Sequence, residues 1–257
     1  MGRTIEKVED NYMHRISAVI LAAGKGTRMK SDMAKVLHQV HGKPLITYVV
    51  KVAESLGCNP IAVVVGFQED KVREVLRGRK IIFVSQKEQL GTGHAVLQTE
   101  NALTGSDNDV LILYGDMPLM RLQTLKEFID DHMVADSELS IITTNAENPF
   151  GYGRVVRDEE FNVIKIVEEN DSTEEVKRIK EINTGIYCVN KNILFSALHR
   201  LKPENKQGEY YLTDIVEIAI EREVKINTFR VENQKEFIGV NTADDLKLIE
   251  EVMSHTG

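Results

Sequence analysis

Residues 16–29 read Ile16-Ser17-Ala18-Val19-Ile20-Leu21-Ala22-Ala23-Gly24-Lys25-Gly26-Thr27-Arg28-Met29. The run from Ile16 to Leu21 is apolar almost throughout, the pattern of a strand covered on both faces. A glycine-bearing loop follows directly. Pro44 then opens a predicted helix over 44–56 and Gly57 closes it, proline early and glycine late. Further along, strands are predicted over 60–65, 80–84 and 109–113, with helices over 68–76, 92–102 and 122–134. Strands alternating with helices imply a parallel sheet with right-handed crossovers. Beyond residue 135 the pattern changes. Strands are expected over 138–144, 153–157, 162–167, 181–189 and 224–231, and helices over 191–201, 211–221 and 243–253. The fold class is therefore α/β: a doubly wound core, 16–135, then a smaller mixed α+β portion, 136–254, built on the same sheet as one domain.

The chain has 257 residues, 42% hydrophobic and 28% charged, enough for a sizeable core. Residues 1–15 carry six charges and no apolar stretch, so a flexible leader rather than a signal peptide is expected there. The apolar run at 61–65 is far too short to span a membrane. Cys58 and Cys188 lie far apart in apolar settings, as expected of buried, reduced thiols in a cytoplasmic protein. A net charge of −8 disfavours nucleic acid as a partner, because phosphate backbones need a basic footprint. One stretch departs from that average. Residues 24–43 hold Lys25, Arg28, Lys30, Lys35 and Lys43 against Asp32 alone. Charge by itself leaves this either a solvated loop or a site for a small anion.

Ligands of open α/β sheets bind beyond the carboxyl ends of the strands. Three loops there hold unusual residues. The first, 21–29, lets backbone N–H groups approach a phosphate through Gly24 and Gly26. It lacks the Gly-Lys-Ser/Thr of a Walker A loop. It is also a poor dinucleotide fingerprint, since Met29 holds the third glycine position and no ribose-binding acid follows Val65-Gly66-Phe67. The second is Gln86-Lys87-Glu88-Gln89-Leu90-Gly91-Thr92-Gly93-His94. Gln86 both donates and accepts, which suits a nucleobase edge, and Gly91 and Thr92 can lie against a planar base. His94 falls in the first helical turn, where packing or capping competes with a role as base. The third is Tyr114-Gly115-Asp116-Met117-Pro118-Leu119, where Asp116 suits either a magnesium ligand or a turn cap.

The ordered set Ala22-Ala23-Gly24-Lys25-Gly26-Thr27-Arg28-Met29, Lys35-Val36-Leu37, Gln86 with Glu88-Gln89-Leu90-Gly91-Thr92-Gly93-His94, Tyr114-Gly115-Asp116, Gly151-Tyr152-Gly153-Arg154, Ile166-Val167-Glu168, Glu181-Ile182-Asn183-Thr184-Gly185, Gly208-Glu209-Tyr210-Tyr211-Leu212-Thr213-Asp214 and Gly239-Val240-Asn241 resembles the sugar-nucleotide pyrophosphorylases. Within that family it is most similar to the N-acetylglucosamine-1-phosphate uridyltransferase half of a bacterial bifunctional enzyme. The resemblance covers about residues 16–250. It implies a Rossmann-like, GT-A-like nucleotide-diphospho-sugar transferase fold and magnesium as cofactor. The implied substrates are UTP and N-acetylglucosamine-1-phosphate, or another pair such as UTP or dTTP with glucose-1-phosphate. A non-catalytic sugar-nucleotide sensor on the same fold is the alternative from another class.

Residue by residue, the resemblance implies that Leu21, Ala22, Ala23 and Gly24 contact the nucleotide, Arg28 and Lys35 act on its phosphates, and Gln86, Gly91 and Thr92 read uracil. Tyr114 and Gly115 would sit near ribose and sugar, Asp116 and Asn241 would hold magnesium, and Gly153, Glu168 and Asn183 would bind the sugar. Two positions depart from it. Ala34 stands where proline usually precedes the lysine, so a looser loop is expected, and Ile238 stands where an acid commonly precedes Gly239. The hexapeptide repeats that give the bifunctional enzyme its acetyltransferase activity and its trimer do not occur in this sequence. Acetyl transfer is therefore not expected of it, and the sequence does not give an oligomeric state.

Overall fold

The computed structural model describes residues 16–105 and 109–255; the leader expected over 1–15 lies outside the described residues. The strands are β1 Ile16–Ala22, β2 Gln39–Val40, β3 Lys43–Pro44, β4 Ile61–Val65, β5 Ile82–Ser85, β6 Asp109–Tyr114, β7 Leu139–Asn145, β8 Arg154–Arg157, β9 Val163–Val167, β10 Glu181–Asn190 and β11 Ile226–Arg230. The helices are α1 Leu45–Ser55, α2 Glu69–Val75, α3 Thr92–Leu97, α4 Leu122–Val134, α5 Lys191–Leu198, α6 Ile215–Ile220 and α7 Ala243–Ser254.

Alternation along β1 explains the layering. Ile16, Ala18, Ile20 and Ala22 point into one apolar cluster, with Ile46, Val49 and Val50 of α1 and Leu125, Phe128 and Ile129 of α4. Val19 and Leu21 point into the other, with Val96 of α3, Leu194 and Leu198 of α5, and Ile215 and Val216 of α6. Strands β4 and β6 alternate in the same way, so helices cover both faces of the central strands. Each fully buried Val, Ile or Leu contributes roughly 1.5–3 kcal/mol of transfer free energy, which is why near-continuous apolar strands settle in the middle layer.

The main sheet runs β11-β7-β10-β6-β1-β4-β5, with β8 and β9 attached beside β10. Strand β1 pairs in parallel with β4 on one side and β6 on the other. The chain therefore winds outward from β1 in both directions, and the order reverses between β1 and β6, where a doubly wound sheet opens a crevice. Leu21 lies opposite Tyr114 in register, so the loops after β1 and β6 leave at one level. Strand β10 is inserted antiparallel between β6 and β7. Its direction brings its first residues, including Asn183, to the same edge as those loops. The sheet is thus mixed and mostly parallel in its first half, as expected.

Several boundaries move, each for a local reason. The expected helix over 92–102 ends at Leu97, where Thr99 Oγ1 donates to the Val96 carbonyl, and a tighter 3-10 turn follows at Glu100–Leu103. The expected helix over 211–221 starts as a 3-10 turn, Leu212–Asp214, before α6. A two-residue hairpin joins β2 to β3 through His41 and Gly42, both at positive φ; its strands are too short to show in the pattern. Cys58 and Cys188 are free and buried, as expected, and burial pushes both thiols up, Cys58 to about 12.

Candidate active site

The loops after β1, β5 and β6 enclose a cleft of about 260 Å³. It brings together Leu21, Ala22, Ala23, Gly24, Lys35, Gln86, Gly91, Thr92, Tyr114 and Asp116, ten of the residues singled out in the sequence. Gly91 lies at φ +110, and a Cβ there would stand 2.6 Å from the Tyr210 carbonyl oxygen. Glycine is therefore required for this loop to close onto Tyr210, whose N–H donates to the Leu90 carbonyl. Gly115 sits behind the cleft, where a Cβ would meet Ile46 and the Leu21 carbonyl, and its own N–H donates to that carbonyl. Its place is in the packing of β6 against β1.

At one end of the cleft four polar side chains converge. Lys35 Nζ stands 2.5 Å from Asp116 Oδ2 and 3.2 Å from Asn241 Oδ1. Arg28 Nη2 donates to the same Asn241 oxygen at 2.9 Å. Arg28 is exposed in a 3-10 turn, Thr27–Met29, flanked by Gly26 at φ 70 and Lys30 at φ 49. Asn241 is set by the start of α7: its N–H donates to Asp245 Oδ2, and Thr242 and Asp245 form a capping box. The Val240 N–H donates to the Asp116 carbonyl, tying the two metal candidates together through the backbone.

The looser loop expected from Ala34 is not found. Ala34 takes φ −57, a value proline would share. Its N–H, which proline would lack, donates to Gln68 Oε1 at 3.0 Å, and Gln68 Nε2 donates to the Asp32 carbonyl at 2.8 Å. Gln68 thus ties the segment before Lys35 to the start of α2. Ile238 packs on the small apolar cluster of Met29, Val40 and Leu45.

Gly153, Glu168 and Asn183 form a second group. The Asn183 N–H donates to the Gly153 carbonyl at 2.9 Å. A Cβ on Gly153 would come 3.6 Å from Glu168 Oε2. The β10 bulge between Asn183 and Tyr187 contains Gly185 at φ +87, and Asn183 Oδ1 accepts from the Gly185 N–H. The Asn183 amide nitrogen also donates to the Tyr187 hydroxyl, so the side chain is held at both ends. Tyr114 separates the two groups. Its ring lies against Gly185, and its hydroxyl is pushed well up, first by burial, then by the charges of Glu168 and Asp116. Glu168 is raised by burial first; Asp214 and Asp171 push further in that direction, while the Thr213 hydroxyl and Arg154 pull back.

Adjacent residues lock this second group in place. Arg154 Nη2 and the Gly151 N–H both donate to Glu169 Oε2, and Arg154 also donates to the Tyr152 carbonyl. The Arg154–Glu169 pair therefore joins the neighbours of Gly153 and Glu168. Sequence reasoning missed Tyr152, whose hydroxyl is raised by burial and by Asp245 and Asp116 and lowered by Arg28. It also missed Gln89 and Glu209, which line the cleft. Tyr152, Gln89 and Glu209 all lie inside segments that carried the resemblance, without a role attached to any of them.

A divalent ion can be tested against this donor set. Asp116 and Asn241 offer one carboxylate and one amide oxygen; both contact the Lys35 ammonium, and the Asn241 oxygen accepts from Arg28 as well. A Cβ on Gly239 would stand 3.1 Å from Asp116 Oδ2, so glycine keeps that space open. Two oxygen donors, with phosphates and water completing the shell, suit magnesium.

The nucleotidyl transferase family model matches residues 17–243. The chain is 47% identical over 230 residues to the bifunctional protein GlmU of Geobacter metallireducens, covering 89% of this chain and 48% of that protein. It is 41% identical over 239 residues to GlmU of Syntrophomonas wolfei, covering 93% and 53%. The chain therefore spans about half the length of these relatives. A crystal structure of a UDP-glucose pyrophosphorylase with UDP-glucose superposes with a TM-score of 0.76 at 19% identity, over 94% of this chain and 99% of that one, and so shares the fold.

Proposed function

The chain belongs to the nucleotidyl transferase family, and from that premise we propose that it transfers UMP from UTP to N-acetylglucosamine-1-phosphate, releasing pyrophosphate. The observation that carries this reading is the convergence of Arg28, Lys35, Asp116 and Asn241 at the end of a glycine-walled cleft at the sheet's switch point. A phosphate oxygen of the sugar phosphate attacks the α-phosphorus, the new P–O bond forms, and the bond to the β-phosphate breaks. The nucleophile is already an anion, so no general base is required. The difficulty is to bring two polyanions together, and positioning with cationic neutralisation accounts for most of the catalysis.

In this reading the backbone of residues 21–24 binds the nucleotide, and Gln86 with the Gly91–Thr92 loop receives uracil. Arg28 offers a planar fork to phosphate oxygens and Lys35 a point charge. Asp116 and Asn241 hold magnesium, which when bound neutralises and aligns the triphosphate. Glu168 accepts hydroxyl hydrogen bonds from the sugar, beside Gly153 and Asn183. A cytoplasmic location belongs to the same reading.

The test is pyrophosphate release with magnesium, crossing UTP, dTTP, CTP and ATP with N-acetylglucosamine-1-phosphate, glucose-1-phosphate and N-acetylgalactosamine-1-phosphate. The expected maximum is UTP with N-acetylglucosamine-1-phosphate. A maximum elsewhere overturns the substrate and keeps the chemistry. No release from folded protein favours the sensor.

The raised carboxyls give a pH signature. Glu168 must be ionised to accept fully from sugar hydroxyls, so KM for the sugar phosphate should rise as pH falls through its raised pKa. Asp214→Asn removes the largest like charge acting on Glu168 and should move that limb to lower pH. Asp214 itself is pushed from 3.8 to about 6, first by burial and then by Glu217 and Asp171. The folded state therefore holds this proton more tightly than the unfolded chain. The associated stability is complete below 3.8 and is lost as pH rises through about 6. Asp214→Asn should then raise stability at pH 7.5 by about 1 kcal/mol, discounted for partial exposure, with little change at pH 4. Melting temperatures at the two pH values check the sign.

A further inference from the structure

Gln86 is 3% exposed, and among the described residues its side-chain amide has partners on the nitrogen side only. Its Nε2 donates to the Gly91 carbonyl at 3.1 Å and lies 3.0 Å from His94 Nδ1. A carbonyl can only accept, so the contact with Gly91 fixes which end of the amide faces the loop. The Gln86 oxygen is left as the group that can meet a ligand in the cleft. The second contact then fixes the histidine. An amide nitrogen can donate to Nδ1 only if Nδ1 carries the lone pair, which puts the proton of the neutral ring on Nε2. That nitrogen stands 3.1 Å from Gln98 Nε2, one turn on, at the C-terminal cap of α3. Gln98 Nε2 also donates to the His94 carbonyl at 3.3 Å; turning this amide over gives up that longer bond and lets the Gln98 oxygen accept from the ring N–H, so that each member of the chain donates to the next acceptor. The ring is also flanked by Tyr210, centroid to centroid 6.3 Å, in a groove lined by Leu97, Leu198 and Leu201 beside the cleft.

We propose that His94, backed by Gln98, is a positioning residue that selects the pyrimidine by holding the Gln86 amide with its oxygen toward the base. The proposal rests on the uridyl reading above. Uracil presents N3–H, a donor, where cytosine presents N3, an acceptor, so the orientation of one amide decides between them. An amide oxygen facing the base pairs with uracil and repels cytosine. A site built around a hydrogen bond rejects the mismatched partner because a buried polar group is left unpaired. With the imidazole removed, one of the two Gln86 N–H groups loses its acceptor and the Gly91 carbonyl alone opposes reversal, so a reversed amide, donating to cytosine N3, gains population. His94 does not enter the chemistry in this account; its effect passes through Gln86.

The experiment measures kcat/KM for UTP and for CTP with N-acetylglucosamine-1-phosphate in wild type, His94→Phe, His94→Asn and Gln98→Leu. Wild type should prefer UTP by about 100-fold or more, as a hydrogen-bonded site allows. His94→Phe keeps the ring shape and removes the acceptor. It should lower the UTP:CTP ratio by about tenfold or more while turnover at saturating UTP stays within about threefold of wild type. His94→Asn places an amide oxygen near the position of Nδ1 and should restore most of the ratio. Gln98→Leu should lower the ratio in the same direction by less, and it tests the relay if His94→Phe does not fold. An unchanged ratio in a folded His94→Phe, or in Gln98→Leu where that variant is the one that folds, overturns the proposal. A wild-type ratio near one overturns the uridyl reading instead, which keeps the two failures apart.

Discussion

Asp116→Asn is expected to lower kcat/KM by about two to three orders of magnitude and to shift the magnesium titration to higher concentration. Asp116 is 4% exposed, and the substitution keeps its shape, so the packing of the loop after β6 is retained. What is lost is one negative charge facing the Lys35 ammonium, whose remaining oxygen contact in this group is Asn241 Oδ1. Affinity of a hard cation falls with the charge of its ligands, and this group holds a single carboxylate. The Lys35 side chain is 21% exposed and can turn toward water, so the stability loss should be small beside the catalytic one. Initial rates across a magnesium series, with a melting curve as control, separate the two. An unchanged magnesium dependence would leave Asp116 as an anchor for Lys35 and for the Val240 backbone, and would remove it from the metal.

Arg28→Ala is expected to lower turnover by about two to three orders of magnitude with melting behaviour close to wild type. Arg28 is exposed, so the substitution leaves the buried clusters untouched. Its turn is shaped by the positive φ values of Gly26 and Lys30, which the substitution leaves alone. Its side chain donates to Asn241, across 213 residues of chain. A group that gains most of its interaction as charge shifts during phosphoryl transfer should lower kcat more than it raises KM. Arg28→Lys should recover only part of the loss, because an ammonium cannot replace a planar fork. Near-normal turnover in Arg28→Ala would exclude Arg28 from the mechanism.

Much of this architecture is legible in the sequence because it follows from local periodicity. The apolar β1, the helix closed by Gly57 and the helix over 122–134 each rest on patterning that tertiary contacts reinforce. The loops after β1, β5 and β6 are legible as sites because glycines, an arginine and an acid stand at the carboxyl ends of buried strands. Other features are not local. Nothing in residues 239–245 indicates that Asn241 will receive Arg28 and Lys35, since that depends on where α7 packs. Ala34 reads as a weakened loop until Gln68 is seen to take its N–H. His94 reads in the sequence as packing or capping ahead of catalysis, and the amides on its two ring nitrogens become visible only in the fold. The break at Thr99 is a side chain competing with its own helix, which propensity alone does not rank.

The insertion of β10 between β6 and β7 also sets an order of events on the ribosome. When the first 135 residues have emerged, β1, β4, β5 and β6 can already form a parallel sheet, but β6 is then its open edge. The residues Val110, Leu111, Ile112 and Leu113 on that edge are all 0% exposed in the finished fold. The next strand to be made, β7, does not close the edge, because its partner is β10. The edge is covered only after residue 190 has been synthesised, when β10 pairs with β6. An unpaired apolar edge is a template for association with other chains. The nascent chain therefore passes through an interval of more than 50 residues of synthesis in which it is most exposed to misassembly. Substitutions that slow the docking of β10 should reduce the yield of folded protein well before they change the stability of the molecules that do fold.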